Sequence, residues 1–425
     1  MRNLWTKAGV FGSMSAAFGL MLWSQKQADL DQAASGDAAA PTNPTSPYKL
    51  KLVQVLFRHG ARTPLKTIPG VMEAQWLPTL LEPPAHTHID YEVTDLLGGP
   101  RPPAPVEDSY RKNVLKGGSF PGQLTTLGMQ QLYELGKTLR RRYVEESPFL
   151  SSSFSPTEVY VRSTNIVRTI ESAKCLVAGL FLQKQTETVT IQTTASESEI
   201  LYPNYHACKM LKAMVSHRWA ESSTLPDIAA DLRSIKDALG IAADQHMDFI
   251  LIRDDMVARE THGLRCPSAL ETWRARVEQR AVDMIYHVYA HNNNPETLQL
   301  CVGPLLHSVI GNMDEKLDGT ASEPDRKLFL YSAHDTTLIP CLMALGIYDM
   351  KWPPYAADIT LELHQHQETN KPFVKVSYVG QDQLLPGCSG VYCPLEEFKQ
   401  VLSAHLMSYD VYHALCNSDE GATDP

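Results

Sequence analysis

No C-x-x-C pair occurs in the chain, and no Asn-x-Ser/Thr sequon survives, since Asn43-Pro44-Thr45 is disqualified by its proline. The first absence removes zinc ribbons and thioredoxin-like redox motifs. The second leaves no N-glycosylation acceptor and tilts slightly away from the secretory route. Nor is there a surplus of cations: 38 Lys and Arg stand against 48 Asp and Glu, a formal net charge of −10. That excludes the broad basic face of a generic nucleic-acid binder. It does not exclude an anionic substrate, because a few convergent arginines can hold a phosphate on an acidic protein. The apolar or small run Ala8–Trp23 falls short of the roughly 20 residues that comfortably cross a bilayer.

What is present is ordinary globular material, 425 residues of which 43% are hydrophobic and 20% charged, ample for a sizeable core. The 8 cysteines are scattered. Only Cys388 and Cys393, in "PGCSGVYCPL", lie close enough along the chain for a local disulfide, with two free thiols as the alternative. The N-terminus carries Arg2, Lys7 and Lys26 with no acid before Asp29. Residues 1–32 read as a targeting segment whose pattern suits a mitochondrial presequence, with a secretory signal as the alternative. Residues 33–47, small, polar and Pro-containing, read as a flexible linker.

"YKLKLVQVLF", "EVYVRST", "TVTIQTT", "KLFLYSA", "DITLELHQH" and "FVKVSYVG" have the β-branched, apolar character of strands. Helical patterns separate them, and residues 201–317 are mostly helical. The expected fold is α/β: a central mixed, mostly parallel sheet with helices on both faces, plus an inserted helical cap domain. The core is drawn as residues 48–200 and 318–417, the cap as 201–317, and 418–425 as a disordered tail. The Pro- and Gly-rich stretch from Leu65 to Gly122 reads as a functional lid or binding loop. In "TTLGMQQLYELGKTLRRRYV" Thr125 or Thr126 is the expected helix cap, and Arg140-Arg141-Arg142 reads as cations on a solvated C-terminal face.

Three of the strands end in groups that grip phosphate: "LFRHGAR", "VYVRSTNIVRT" and "LYSAHDTT". In an open α/β sheet ligands sit at the carboxyl ends of the strands, so one shared site is the economical reading. Arg58, Arg62 and Arg168 would clamp a tetrahedral dianion through charge-assisted bonds, with Arg162 a weaker candidate that anchors the sheet edge. His59, flanked by arginines, resists protonation and keeps a nucleophilic ring nitrogen. Gly60 is expected to let the backbone approach the ligand. Asp335, if its setting keeps it protonated, would be the general acid and then the base that activates water, and His334 a cation on the phosphate oxygens. Any one of these residues alone is commonplace; their conjunction carries the reading. His86 with His88, and His364 with His366, have ligand-like spacing but no clear third partner for a metal.

The pattern Arg58-His59-Gly60-x-Arg62-x-Pro64 with a distant His334-Asp335 resembles the histidine acid phosphatase branch of the histidine phosphatase superfamily. "GQLTTLGMQQLYELG", "VYVRSTNIVRTIESA", "WPPYAADITLEL" and "PGCSGVYCPLEEF" resemble further motifs of that branch. The resemblance implies His59 as the phosphorylated nucleophile, Asp335 as proton donor, Arg58, Arg62, Arg168 and His334 as the phosphate pocket, and no metal or organic cofactor. Ala61 stands where many acid phosphatases of the branch carry Asp. Within the branch the chain resembles a mitochondrial, lipid-hydrolysing member. That implies lysophosphatidic acid as substrate, transient membrane-surface contact, no nucleic acid and a monomer. A broad acid or inositol-phosphate phosphatase, and a non-catalytic phospholipid-binding protein, are the alternatives.

Overall fold

β1 (Tyr48–Arg58) is buried on both faces from Leu52 onward, and its alternation divides the protein into two cores. Val53, Val55 and Phe57 pack into one with Leu132, Leu139, Ile170 and Leu176. Leu52 and Leu56 pack into the other with Leu305, Val309, Leu338 and Leu342. Successive strand residues point to opposite faces, so a strand apolar at both phases must be covered by helices on each side. The computed structural model describes residues 46–290, 295–323 and 325–417. The expected targeting segment, nearly all of the linker, and the C-terminal tail lie outside them.

Among the described residues the sheet has nine strands in the order β2-β4-β3-β5-β1-β6-β7-β8, with β9 on β7. β2 (Tyr91–Thr94), β4 (Val189–Gln192), β3 (Val159–Ser163), β5 (Leu328–Ala333) and β1 are parallel. β6 (Asp358–His366), β7 (Pro372–Tyr378), β8 (Gln381–Gln383) and β9 (Tyr392–Pro394) continue antiparallel from β1. The sheet is therefore half parallel and half antiparallel rather than mostly parallel. β2 was hidden in the Pro-rich stretch after the first strand, because four residues between loops carry too little periodicity to read.

α1 (Pro105–Arg111) lies within that stretch. α2 (Thr126–Arg140) is capped by Thr125, whose hydroxyl accepts from the Gly128 amide at 3.3 Å. α3 (Val167–Phe181) follows β3 directly. These two helices approach so closely that a Cβ on Gly136 would stand 2.1 Å from the Leu176 carbonyl oxygen. One on Gly179 would stand 2.0 Å from that of Tyr133. Only Arg141 of the arginine triplet is exposed: Arg140 donates to the Leu180 carbonyl at 3.2 Å, and Arg142 pairs with buried Glu362 at 2.8 Å. Tyr143, the next residue, is buried and donates its hydroxyl to the same Glu362 at 2.6 Å.

Between β4 and β5 run α4 (Lys209–Ser222), α5 (Pro226–Leu239), α6 (Phe249–Thr261), α7 (Ser268–Ala290) and α8 (Pro295–Asp318). Asp248 caps α6, accepting from Leu251 N at 2.8 Å. α9 (Asp335–Ala344) leaves the end of β5, and α10 (Leu395–Leu402) and α11 (Tyr409–Asn417) complete the described chain. Cys388 and Cys393 are disulfide-bonded, and so are Cys208 and Cys416, a pair with no signal in the sequence because its spacing of 208 residues is arbitrary. No helix among the described residues is long and apolar enough to cross a membrane.

Candidate active site

The carboxyl ends of β1, β3 and β5 lie side by side, with Arg58 opposite Ala333 and Ser163 opposite Ser332. Arg58, His59, Arg62, Arg168, His334 and Asp335 converge there. The loop after β1 is held from both sides: His59 N donates to Ala333 O at 3.0 Å, and Ala356 N to His59 O at 3.2 Å. Gly60 is required by a helix and not by a ligand. A Cβ at that position would stand 2.2 Å from the Gly128 carbonyl oxygen, so the first turn of α2 occupies the space expected for substrate approach.

His59 is buried, and its Nδ1 lies 2.9 Å from the Gly60 carbonyl oxygen. A carbonyl can only accept, so the ring proton sits on Nδ1 and the lone pair on Nε2. Burial, then the guanidiniums of Arg168, Arg62 and Arg58, push its pKa well below the ordinary value. The imidazole is thus neutral with a free Nε2. His334 stands across from it, ring centroids 5.5 Å apart. Its Nε2 contacts Thr164 Oγ1 at 3.0 Å, and Arg168 Nη2 donates to its Nδ1 at 3.5 Å. Burial and Arg168 push its pKa well down, more than Asp335 opposes. His334 is therefore neutral here, not the cation expected. The cause is its burial beside a guanidinium.

Asp335 also departs from expectation. Its Oδ2 lies 2.8 Å from Arg58 Nη2 and accepts from Trp352 Nε1 at 2.9 Å, and its Oδ1 accepts from Thr336 N at 2.8 Å at the start of α9. Burial alone would raise its pKa, but Arg58, then Arg62 and the Trp352 indole, hold it below the usual carboxylate range. It is a carboxylate, not the protonated acid expected, because its neighbours are cations and donors.

The clamp is completed from the helical insertion. Asp254 on α6 accepts from Arg62 Nη2 at 2.8 Å and from Leu65 N at 2.7 Å. Burial works against the Arg62 charge, yet Asp254 raises its pKa above the ordinary value. Unpaired donors remain on all three guanidiniums: Arg58 Nε, Arg62 Nε, and both Nε and Nη1 of Arg168 are buried without a hydrogen-bond acceptor among the described residues. Buried, unpaired guanidinium donors are costly and fit an anion. Arg162 instead pairs with Glu199 at 3.2 Å and anchors the sheet edge. Aromatic rings surround the cluster. Tyr355 lies 4.3 Å from the Arg58 guanidinium carbon, Tyr110 lies 5.3 Å from that of Arg168, and Tyr202 lies 6.0 Å from the His334 ring.

Asp254, Trp352, Tyr355, Tyr110 and Thr164 escaped the sequence reading. Trp352 and Tyr355 stood inside the quoted "WPPYAADITLEL", where a motif was visible and its roles were not. Nothing local marks Asp254, whose meaning depends on how α6 docks. The four histidines with ligand-like spacing do not gather. His86 Nε2 contacts Gln130 Oε1 at 2.6 Å, and His364 Nε2 contacts Glu362 at 3.0 Å. Among the described residues no three His, Cys, Asp or Glu side chains are grouped as a metal site.

A neutral imidazole set among guanidiniums at the edge of an α/β sheet defines a phosphate-handling enzyme of the histidine type. Residues 49–379 match the histidine phosphatase superfamily (branch 2), and the chain belongs to that family. It is 43% identical to the human lysophosphatidic acid phosphatase type 6 over 419 residues, covering 98% of this chain and 96% of that protein. The mouse protein of the same name is 42% identical, covering 98% of each. Human prostatic acid phosphatase is 28% identical over 88% of this chain and 91% of its own. Among solved structures, a Hafnia alvei phytase in complex with tartrate superposes with a TM-score of 0.56 at 17% identity, covering 86% of this chain and 99% of that one. A Bifidobacterium longum multiple inositol polyphosphate phosphatase in complex with inositol hexasulfate gives 0.56 at 14% identity, covering 90% and 97%. At such identity these structures speak for the fold alone. The protein is an enzyme, a histidine acid phosphatase.

Proposed function

We propose that the enzyme hydrolyses lysophosphatidic acid to monoacylglycerol and phosphate through a phosphohistidine. The observation that carries the chemistry is the Nδ1–H of His59 given to the Gly60 carbonyl, which leaves Nε2 as the nucleophile. Nε2 attacks phosphorus as the ester P–O bond breaks. Arg58, Arg62 and Arg168 neutralise the equatorial oxygens, and His334 donates to one of them once the bound anion favours its protonation. Asp335 gives the departing alkoxide its proton and afterwards takes one from the water that attacks the phosphohistidine.

Its carboxylate state in the free enzyme makes substrate the source of that proton. A phosphoryl group seated on Arg58 and Arg62 brings negative charge beside Asp335 and engages the cations that depress it. Both changes favour the protonated acid.

Two observations support a lipid ester over an inositol phosphate. Relatives named lysophosphatidic acid phosphatase match nearly the full chain at 41–44% identity. The walls beyond the clamp are Tyr110, Tyr202 and Tyr355, suited to a glycerol backbone and the start of an acyl chain. The basic, acid-free N-terminal segment supports a mitochondrial address for this activity.

His59→Ala should abolish phosphate release from lysophosphatidic acid while circular dichroism and thermal unfolding stay near wild type. Acid-labile, base-stable labelling of His59 by rapid quench with labelled substrate is the direct readout. Turnover that survived the substitution would end the proposal.

A further inference from the structure

The helical insertion reaches the site through two consecutive residues of α6. Asp254 holds Arg62 of the clamp. Arg253, the residue before it, turns to an aromatic ring instead. Its guanidinium carbon lies 4.5 Å from the centre of the Trp352 ring. Glu278 on α7 accepts from its Nε at 2.7 Å and from its Nη2 at 3.0 Å. Arg253 and Trp352 are both buried. A guanidinium gripped by both oxygens of a carboxylate is a cation fixed in place. Set over an indole face, it is attracted to the π density and draws on it, which makes the N–H at the ring edge a better donor.

That N–H goes to Asp335 Oδ2 at 2.9 Å. The backbone carrying the ring is stiff, because Pro353 and Pro354 follow directly. A proline fixes its own φ and restricts the residue before it. Two other donors hold the carboxyl: Arg58 Nη2 on the same oxygen at 2.8 Å, and Thr336 N on Oδ1 at 2.8 Å. The three are not equivalent during turnover. Arg58 must also serve the phosphate, and the Thr336 amide belongs to the helix start that carries Asp335 itself. The indole is the donor from another element on which the phosphate makes no claim.

We propose that Trp352, backed by Arg253 and Glu278, is the positioning residue for proton transfer, keeping the Asp335 carboxyl on the ester oxygen while Arg58 engages the phosphoryl group. The inference rests on Asp335 as the proton donor and adds the residues that hold it to that task. Because Arg253 and Asp254 are neighbours on one helix, α6 supports the acid and the clamp together.

The test is a single turnover on the full chain, which separates phosphoryl transfer to His59 from the later hydrolysis. Trp352→Phe keeps a ring under Arg253 and removes the N–H. It should lower the rate on lysophosphatidic acid relative to p-nitrophenyl phosphate by about tenfold, because only the alkoxide needs the proton. Arg253→Gln should lower the same ratio about threefold, and Arg253→Lys, which keeps a cation over the ring, should recover most of it. The burst of p-nitrophenol counts competent sites, so a loss from misfolding drops out. Residues that merely support the fold would slow both esters alike. A wild-type ratio in Trp352→Phe or in Arg253→Gln overturns the proposal. Asp335→Asn serves as the reference: an unchanged ratio there sinks the proton-donor reading itself. A ratio that falls in Asp335→Asn but holds in Trp352→Phe sinks this inference alone.

Discussion

Asp335 shows how much of a site depends on what surrounds each residue. The sequence marks it through its neighbour His334 and its place at the end of an apolar strand, but not its charge state. That is set by Arg58 at 2.8 Å and by the Trp352 indole, both delivered from elsewhere. Asp335→Asn keeps the indole contact and loses the acid. It should slow release of an alkyl alcohol by about two to four orders of magnitude and of p-nitrophenol far less, because a good leaving group needs no proton. Equal losses on the two esters would remove Asp335 from proton donation. The free enzyme holds Asp335 ionised and His59 neutral, so the reactive complex carries one proton gained with the phosphate ester, whose second pKa is about 6. The ratio kcat/KM should therefore fall as pH rises above about 6. No loss from His59 protonation should appear just below 6.5, since its pKa lies well under that value.

At the scale of elements, α2 and α3 meet through Gly136 and Gly179 against carbonyls of the opposite helix, about as close as backbones can come. That contact fixes α3, and with it Arg168. Gly179→Ala would force the helices apart. It should cost about 1–3 kcal/mol in denaturant unfolding and raise KM for phosphate esters as Arg168 shifts. A variant as stable as wild type would mean the helices separate freely. The element scale also explains what the sequence could and could not say. β1, β3 and β5 were legible because buried parallel strands are continuous apolar runs, and the heptad is contiguous at the end of one of them. Asp254 was not, because α6 has no pattern that reveals which of its faces meets Arg62. Gly60 was seen and misread: a glycine announces a close approach but not what approaches.

For the whole molecule, the disulfide Cys208–Cys416 ties the end of the described chain to the entry of the helical insertion. Just before Cys208, Leu201 O accepts from Thr337 Oγ1 on α9, so the bond braces the segment beside His334. Closing so long a loop restricts the unfolded chain, and Cys416→Ser should lower stability by about 2–5 kcal/mol. The same loss on mild reduction of the wild-type enzyme, and a much smaller one in the variant, which keeps Cys388–Cys393, would assign the effect to this bond. Cys388–Cys393 closes only a short loop and should contribute less. Both bonds bear on the compartment, since they persist only where thiols are not kept reduced.

β1 is the first of the described strands to be made, and it is enclosed late. Its partners, β5 on one side and β6 on the other, begin at Leu328 and Asp358, after most of the chain has been synthesised. A ribosome or translocation pore thus delivers the strand bearing Arg58 long before anything can cover it, an apolar segment exposed to aggregation in the interim. The arrangement also guards the chemistry. His59 and Arg58 meet His334 and Asp335 only when β5 pairs with β1, so the return of activity on refolding should report that closure.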